Sequence, residues 1–406
     1  MKRVLPVAAA LVTILLLLVG IELIAVGYLY VTEGRYISAR DRFGSMTNTF
    51  VQGLAADRSD CSYLDTLFPH PYLAFVHHGN PPCGIPDINN IGLFGADFPS
   101  RRPDDRFVVL LTGGSVAAQF AQGVAGGPSY LERILDATYH SPNGRPFLVL
   151  DGGDGAWKQP QQAILFLLYA DAVHAVVTLD GFNEHYHLRS GRRFEYPANN
   201  FHVVNPLASQ RFGDMAVRWL VGRFRAVAAG NALLSRSHAA YSVIAAADGW
   251  ARERAESRPA PHTSTESVFA LPASWTPAER EAWQIDQYRK YIRSMSALAD
   301  EHGVLSAHFI QPVPAIGKPL SPEERRVVGD LSYVTVYETM TSALLTLTRR
   351  EIAVFSLLDV FDGDERTLYG DPIHLLRESD GGSPGYEAMA QRIASHLGDA
   401  WRLRPR

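Results

Sequence analysis

Four short stretches of this chain carry residue types that together can move an acyl group. The first runs Val108-Val109-Leu110-Leu111-Thr112-Gly113-Gly114-Ser115-Val116-Ala117-Ala118. A β-branched and leucine run stops at two glycines, a serine follows, and small helix formers come next. That reads as strand, tight turn and helix start, with Ser115 on the turn. A hydroxyl placed there sits at the carboxyl end of a strand, where open α/β sheets bind their ligands. The helix start aims backbone N–H groups at whatever the serine attacks. Taken alone, the stretch also reads as a glycine turn with Ser115 as a helix cap.

The second stretch is Asp371-Pro372-Ile373-His374. An aspartate three residues before a histidine can share its turn, the carboxylate reaching Nδ1 while Nε2 faces outward. A serine nucleophile needs that combination, a base and a group that fixes the tautomer of the base. The third is Thr178-Leu179-Asp180-Gly181-Phe182-Asn183-Glu184, where the Asn183 side-chain N–H can donate to a developing oxyanion. Glu184 is read as a supporting or surface group rather than an acid catalyst. The fourth is Asp151-Gly152-Gly153-Asp154-Gly155-Ala156-Trp157-Lys158, whose glycines let a backbone N–H approach a ligand. Gly155 is the candidate donor and Gly153 its competitor.

These stretches need a scaffold that brings strand ends together. Five apolar runs have the near-continuous hydrophobicity of buried parallel strands: 107–112, 147–150, 172–179, 305–310 and 352–358. Amphipathic segments at 129–138, 159–169 and 278–302 alternate with them, and a helix over 385–397 closes the chain. The alternation predicts a three-layer α/β/α sandwich around a parallel five-stranded sheet. Each of the four stretches then falls at the carboxyl end of a strand or in a loop beyond it.

As an ordered set, the four stretches resemble the SGNH (GDSL-like) hydrolase superfamily. Its blocks supply a nucleophilic Ser, a Gly and an Asn for the oxyanion hole, and an Asp-x-x-His near the C-terminus. The resemblance implies a flavodoxin-like SGNH fold. It implies Ser115, Asp371 and His374 as the catalytic set, and the Ser115 N–H, Gly155 and Asn183 as the oxyanion hole. No cofactor or metal is implied. Gly-Gly-Ser replaces the Gly-Asp-Ser form of the first block, similar to several bacterial extracytoplasmic branches. In those branches an Asn-x-x-Gly-x-x-Gly segment precedes the first strand, here Asn89, Gly92 and Gly95. The resemblance covers about residues 88–400 and breaks across an insertion at about 184–304. The activity implied is removal of an acetyl or small acyl group from an envelope carbohydrate or lipid. The alternatives are an O-acyltransferase acting on a surface polysaccharide hydroxyl and a non-catalytic envelope scaffold with the same fold.

The rest of the chain bounds this reading. Its 406 residues are 47% hydrophobic and 20% charged with a net charge of −4, which suits a folded protein and gives no sign of a nucleic-acid partner. Lys2 and Arg3 precede an apolar run from Val4 to Val31, broken only by Thr13 and Glu22. That is long for the core of a cleaved signal peptide and suits an uncleaved anchor with the amino end in the cytoplasm, with a cleaved signal as the alternative. The expected organisation is an anchor over 1–31, a stem and irregular segment over 32–105 with one short strand at 72–76, and the hydrolase domain over 106–406. Cys61 and Cys83, the two cysteines of the chain, both lie beyond the anchor, so a disulfide between them is expected, with two unpaired thiols as the alternative. Within the insertion, 214–248 reads as helix with Arg218, Arg223, Arg225 and Arg236 and no acid between Asp214 and Asp248. Its basic face suits a solvated surface or anionic lipid headgroups. His77-His78 and His185-Tyr186-His187 lack carboxylates or cysteines at ligand spacing. His185 or His187 instead suits the wall of a substrate cleft. Protein partners are not legible in the sequence.

Overall fold

A computed structural model describes residues 4–45, 66–78, 88–196, 212–257, 269–378 and 381–406. Cys61 and Cys83 lie outside the described residues. The chain divides into two compact units, one made of 67–205 and 263–406, the other of 1–66 and 206–262.

The larger unit is built on five parallel strands: β1 (Phe107–Gly113), β2 (Phe147–Gly153), β3 (Ala175–Asp180), β4 (Leu305–Ile310) and β5 (Val354–Ser356). Their order is β2-β1-β3-β4-β5. Both faces are covered, which is why the strands read as unbroken apolar runs. Val109 and Leu111 point into a cluster with Val116 and Phe120, Leu131 and Leu135, and Met389 and Ile393, from the helices Ser115–Ala121, Tyr130–Thr138 and Pro384–Ala400. The alternate residues Val108 and Leu110 pack with Leu165 and Phe166 of helix Gln161–Tyr169 and with Met295 and Ala299 of helix Pro277–His302. The result is a three-layer α/β/α sandwich with the flavodoxin-like strand order.

Register aligns the carboxyl ends of the strands. Gly113 of β1 pairs with Gly153 of β2 and Leu179 of β3, Asp180 with Ile310 of β4, and Ile310 with Ser356 of β5. The strand order reverses direction between β1 and β3, the place where open α/β sheets bind their ligands. Ser115 and Asn183 follow those two strands.

Local chemistry sets the helix ends. Thr276 Oγ1 accepts from Glu279 N, Glu279 Oε2 accepts from Thr276 N, and Pro277 begins the helix that Gly303, at φ 61°, ends. Ser383 Oγ accepts from Tyr386 N at the start of the last helix, again followed by proline. Helix Pro277–His302 packs under the sheet through Met295 and Ala299, so part of the 184–304 stretch is integral to this unit. Ahead of β1, where one strand is expected, Leu67–His70 and Ala74–His77 form an antiparallel hairpin. His70 Nδ1 accepts the N–H groups of Tyr72 and Leu73 and shapes its turn. Asn89 organises the next loop, its Oδ1 accepting from Ile91 and Leu93 and its Nδ2 donating to the Phe94 and Ala96 carbonyls.

The smaller unit is helical. It holds the apolar helix Val4–Glu33, a short helix Ala39–Ser45, and helices Phe212–Gly230 and His238–Ser257. Val12–Thr32 is long and apolar enough to cross a membrane. The single helix expected over 214–248 is two, because Asn231 Oδ1 accepts from Leu233 N and Leu234 N and turns the chain.

Candidate active site

Gly113 and Gly114 are glycines for steric reasons. A Cβ at Gly113 would lie 2.1 Å from the Leu179 carbonyl oxygen, and one at Gly114 would lie 2.3 Å from Asn183 Nδ2. With neither present, β1 passes close to β3 and delivers Ser115, half-buried, as the first residue of its helix. Ser115 Oγ lies 2.7 Å from His374 Nε2.

His374 comes from the loop beyond β5. An antiparallel bridge between Tyr369 and Leu375 closes that loop, and Gly370 N donates to the His374 carbonyl at 2.9 Å. Inside it, Asp371 Oδ1 accepts the N–H groups of Ile373 and His374, and Oδ2 lies 2.8 Å from His374 Nδ1. Burial alone would push the Asp371 carboxyl up. The hydrogen bond and charge of His374, with the two backbone N–H groups, outweigh burial and hold it at about 2. The carboxylate is therefore ionised at neutral pH, as a partner for an imidazolium has to be.

The loops after β2 and β3 are tied together beside Ser115. Asn183 Nδ2 donates to the Trp157 carbonyl at 2.7 Å, and Trp157 N donates to the Asp154 carbonyl. One of the two Asn183 amide protons is thus engaged in orienting the side chain. Gly155 N donates to Asp154 Oδ1 at 2.6 Å, and the same oxygen lies 3.1 Å from His77 Nε2. Both of those side chains are fully buried. An oxyanion donor at Gly155 has to share its proton with Asp154. The competitor Gly153 serves packing, since a Cβ there would lie 2.7 Å from Ala118 N and 3.0 Å from the Gly114 carbonyl. Ala156, next to Gly155, holds a left-handed φ of 61°.

Beneath these loops lies a buried polar layer that local sequence did not reveal. Glu184 is buried, a supporting group rather than a surface one: its Oε1 accepts from Gln159 N at 2.9 Å and its Oε2 from Gly181 N at 2.8 Å. Burial raises its pKa against the pull of those N–H groups and of Lys158. Lys158 donates to the Gln159 and Phe194 carbonyls, and burial lowers it to about 8 against the opposing charges of Glu184 and Glu195. Asp180 accepts from the Tyr288 hydroxyl, with burial and then Glu184 pushing its carboxyl well up. The available signal was Asp180 at the end of an apolar strand and Lys158 beside the candidate glycine loop. His185 and His187 are buried rather than lining an open surface. His185 packs among Phe182, Tyr333 and Tyr337, and burial holds the two rings at about 4 and about 3 respectively. Among the described residues, no group of three or more His, Cys, Asp or Glu could hold a metal ion.

The chain is similar to acylhydrolases and GDSL-like lipases of known structure. A proposed acylhydrolase from Bacteroides fragilis aligns at 10% identity over 74% of this chain and 91% of its own, with a TM-score of 0.35. A GDSL-like lipase from Bacteroides thetaiotaomicron aligns at 10% identity over 73% and 89%, with a TM-score of 0.32. The α/β hydrolase LAE5, from the metagenome of Lake Arreo, aligns at 11% identity over 72% and 94%, with a TM-score of 0.34. No family model and no curated protein matches the chain. What the site can do chemically therefore rests on its own geometry.

Proposed function

We propose that this chain is an SGNH-type serine ester hydrolase that acts outside the cytoplasm and removes an acetyl or other small acyl group from an envelope carbohydrate or lipid. The observation that carries the reading is the continuous chain from Ser115 Oγ to His374 Nε2 at 2.7 Å and from His374 Nδ1 to Asp371 Oδ2 at 2.8 Å. Ser115 follows β1, next to the reversal of strand order where open α/β sheets bind their ligands.

The chemistry follows from the roles. His374 Nε2 takes the Ser115 hydroxyl proton as Oγ bonds to the acyl carbonyl carbon, and the carbonyl electrons move onto oxygen. The Ser115 N–H and the second amide proton of Asn183 stabilise that oxyanion, with Gly155 N–H as a third donor shared with Asp154. Collapse expels the alkoxide, which takes the proton from His374 and leaves as an alcohol. Water then attacks the acyl-Ser115 ester, giving its proton to His374, and the second collapse returns that proton to Ser115 Oγ. Asp371 keeps His374 in the tautomer with Nδ1 protonated and stabilises the imidazolium. The apolar helix Val4–Glu33 behind Lys2 and Arg3 supports an anchored chain with its amino end in the cytoplasm.

The test is labelling by a fluorophosphonate probe together with acetate release from an acetyl-phenol ester. Wild type should do both, and Ser115→Ala neither, with an unchanged far-UV spectrum. Acetate release that survives in Ser115→Ala overturns the assignment, and a wild type that fails to label points to the scaffold. Adding an oligosaccharide acceptor separates hydrolysis, which yields free acetate, from transfer, which yields acetylated sugar.

A further inference from the structure

The helical unit contains a carboxylate in the middle of its apolar helix. Glu22 lies within Val12–Thr32, the segment that can cross a membrane. It is fully engaged. Oε1 accepts from His238 N at 2.6 Å and lies 3.1 Å from His238 Nδ1, while Oε2 accepts from the Ser237 hydroxyl at 2.7 Å and Ala239 N at 3.2 Å. These are the orphan donors at the start of helix His238–Ser257. In a lipid surrounding, unsatisfied backbone N–H groups and an unpaired carboxylate are each costly, and here each satisfies the other. Tyr36 packs on the His238 ring and Phe43 meets Tyr241 edge-on, so the stem after the apolar helix is part of the same contact.

The outer surfaces are apolar on all three long helices. On the first, Glu22 and Leu29 face inward, while Leu23, Ile24, Tyr28 and Val31 are exposed. Helix Phe212–Gly230 exposes Trp219, Leu220, Phe224 and Val227 along one stripe, and helix His238–Ser257 exposes Val243 and Trp250. Leu233, in the turn between them, is 82% exposed. A helix facing water carries charge on that side. Among the described side chains, the exposed charges on helices Phe212–Gly230 and His238–Ser257 and the turn between them are positive: the Arg223 guanidinium lies 5.9 Å from the Trp219 ring, and Arg236 is exposed at the turn. Arg225 is drawn inward toward Asp248. Aromatic and aliphatic groups fringed by arginine suit the boundary between acyl chains and phosphate headgroups.

We propose that residues 212–257 are a membrane-docking helical hairpin whose outer faces lie against the phospholipid of the bilayer crossed by Val12–Thr32, fastened to that span through Glu22. The inference rests on reading Val12–Thr32 as a membrane span. It makes that span a retained part of the fold rather than a removable leader, since its loss would leave the His238 and Ala239 N–H groups at the start of helix His238–Ser257 without their Glu22 acceptor.

The test uses the full chain in phosphatidylcholine–phosphatidylglycerol vesicles doped with a phospholipid that carries a carbene-generating group on its acyl chain. Adducts are mapped by peptide mass spectrometry after irradiation. Adducts should appear within 12–32 and also at Trp219–Val227 and Val243–Trp250. Adducts confined to 12–32 overturn the hairpin, whereas their absence from 12–32 overturns the span itself. In Glu22→Leu, hairpin adducts should fall about threefold or more, as loss of the hydrogen bonds from Ser237, His238 and Ala239 to Glu22 implies, while those in 12–32 persist. Hairpin labelling unchanged in that variant overturns the role of Glu22.

Discussion

Asp371 grips His374 with both of its oxygens, one on the backbone N–H at 2.8 Å and the other on ring Nδ1 at 2.8 Å. One carboxylate thus shapes the turn and orients the base within it. Its depressed pKa gives the acid behaviour a sign. The folded value, about 2, lies below the ordinary carboxylate value, so this pair contributes its full stability above about pH 4 and loses it as pH falls toward 2.

Asp371→Asn separates the two jobs. An Asn Oδ1 still accepts the Ile373 and His374 backbone N–H groups, but its amide faces Nδ1 as a donor and favours the wrong tautomer. The kcat for a small ester should fall by about 10⁴-fold, with a smaller drop in melting temperature than in Asp371→Ala because the backbone acceptor is kept. Asp371→Ala should lose both the rate and part of the stability. Near-wild-type kcat in Asp371→Asn would show that His374 does not depend on this carboxylate.

Gly114→Ala should disable Asn183 without touching Ser115 or His374. The added Cβ would meet Asn183 Nδ2 at 2.3 Å and the Trp157 carbonyl at 3.1 Å, so the amide has to move. Loss of one oxyanion donor costs about 100- to 1000-fold in kcat. Asn183→Ala should show a similar loss, and the double variant should be hardly worse than either single one. Losses that multiply in steady-state kinetics would separate Gly114 from Asn183.

The buried contact between His77 Nε2 and Asp154 Oδ1 positions the loop that carries Gly155. His77→Ala leaves the carboxylate of Asp154 without this partner. The expected cost is about 1–3 kcal/mol of stability, the penalty for a buried polar group that loses a hydrogen bond. Because His77, whose ring also packs on Phe94, acts on the site through the loop of Asp154, kcat should drop while the KM of a small ester stays within about twofold. Urea denaturation and steady-state kinetics check both, and a KM effect alone would place His77 in substrate binding.

The sheet was legible because strands covered on both faces carry unbroken apolar runs, and Phe107–Gly113 and Leu305–Ile310 lie where such runs fall. Helix Val334–Leu345 was not, since its valines and threonines favour extended chain and only tertiary packing of Tyr337, Met340 and Leu344 settles it as helix. Strand Leu67–His70 was hidden by Pro69, which breaks the alternating pattern. In the candidate site, Ser115 and Asn183 were legible from their positions after strand ends, and His374 from its spacing to Asp371. The contact of His77 with Asp154 spans 77 residues, so no local spacing could reveal it. The division of 184–304 between the two units was likewise set by packing, with helix Pro277–His302 going to the sheet and 206–262 to the apolar helix.

His308 gives the larger unit a measurable acid sensitivity. It sits on β4, fully buried, with Nδ1 3.2 Å from Thr178 Oγ1 on β3 and Nε2 without a hydrogen-bond partner among the described residues. Burial holds its pKa at about 3, far below the ordinary histidine value. The unfolded chain therefore binds a proton between about pH 6.5 and 3 that the folded chain refuses. Stability from this group is complete above pH 6.5 and is lost as pH falls, by about 2 kcal/mol at pH 5. The buried carboxyls of Asp151 and Asp180 are pushed the other way and oppose it, so the net slope of the wild type does not isolate His308. The comparison with His308→Leu does. Unfolding free energies from urea titrations at pH 7.5 and 5.0 should fall by about 2 kcal/mol more in wild type than in the variant, whatever the offset between them at pH 7.5. Parallel pH dependences in the two proteins would mean that His308 takes up its proton in the folded state.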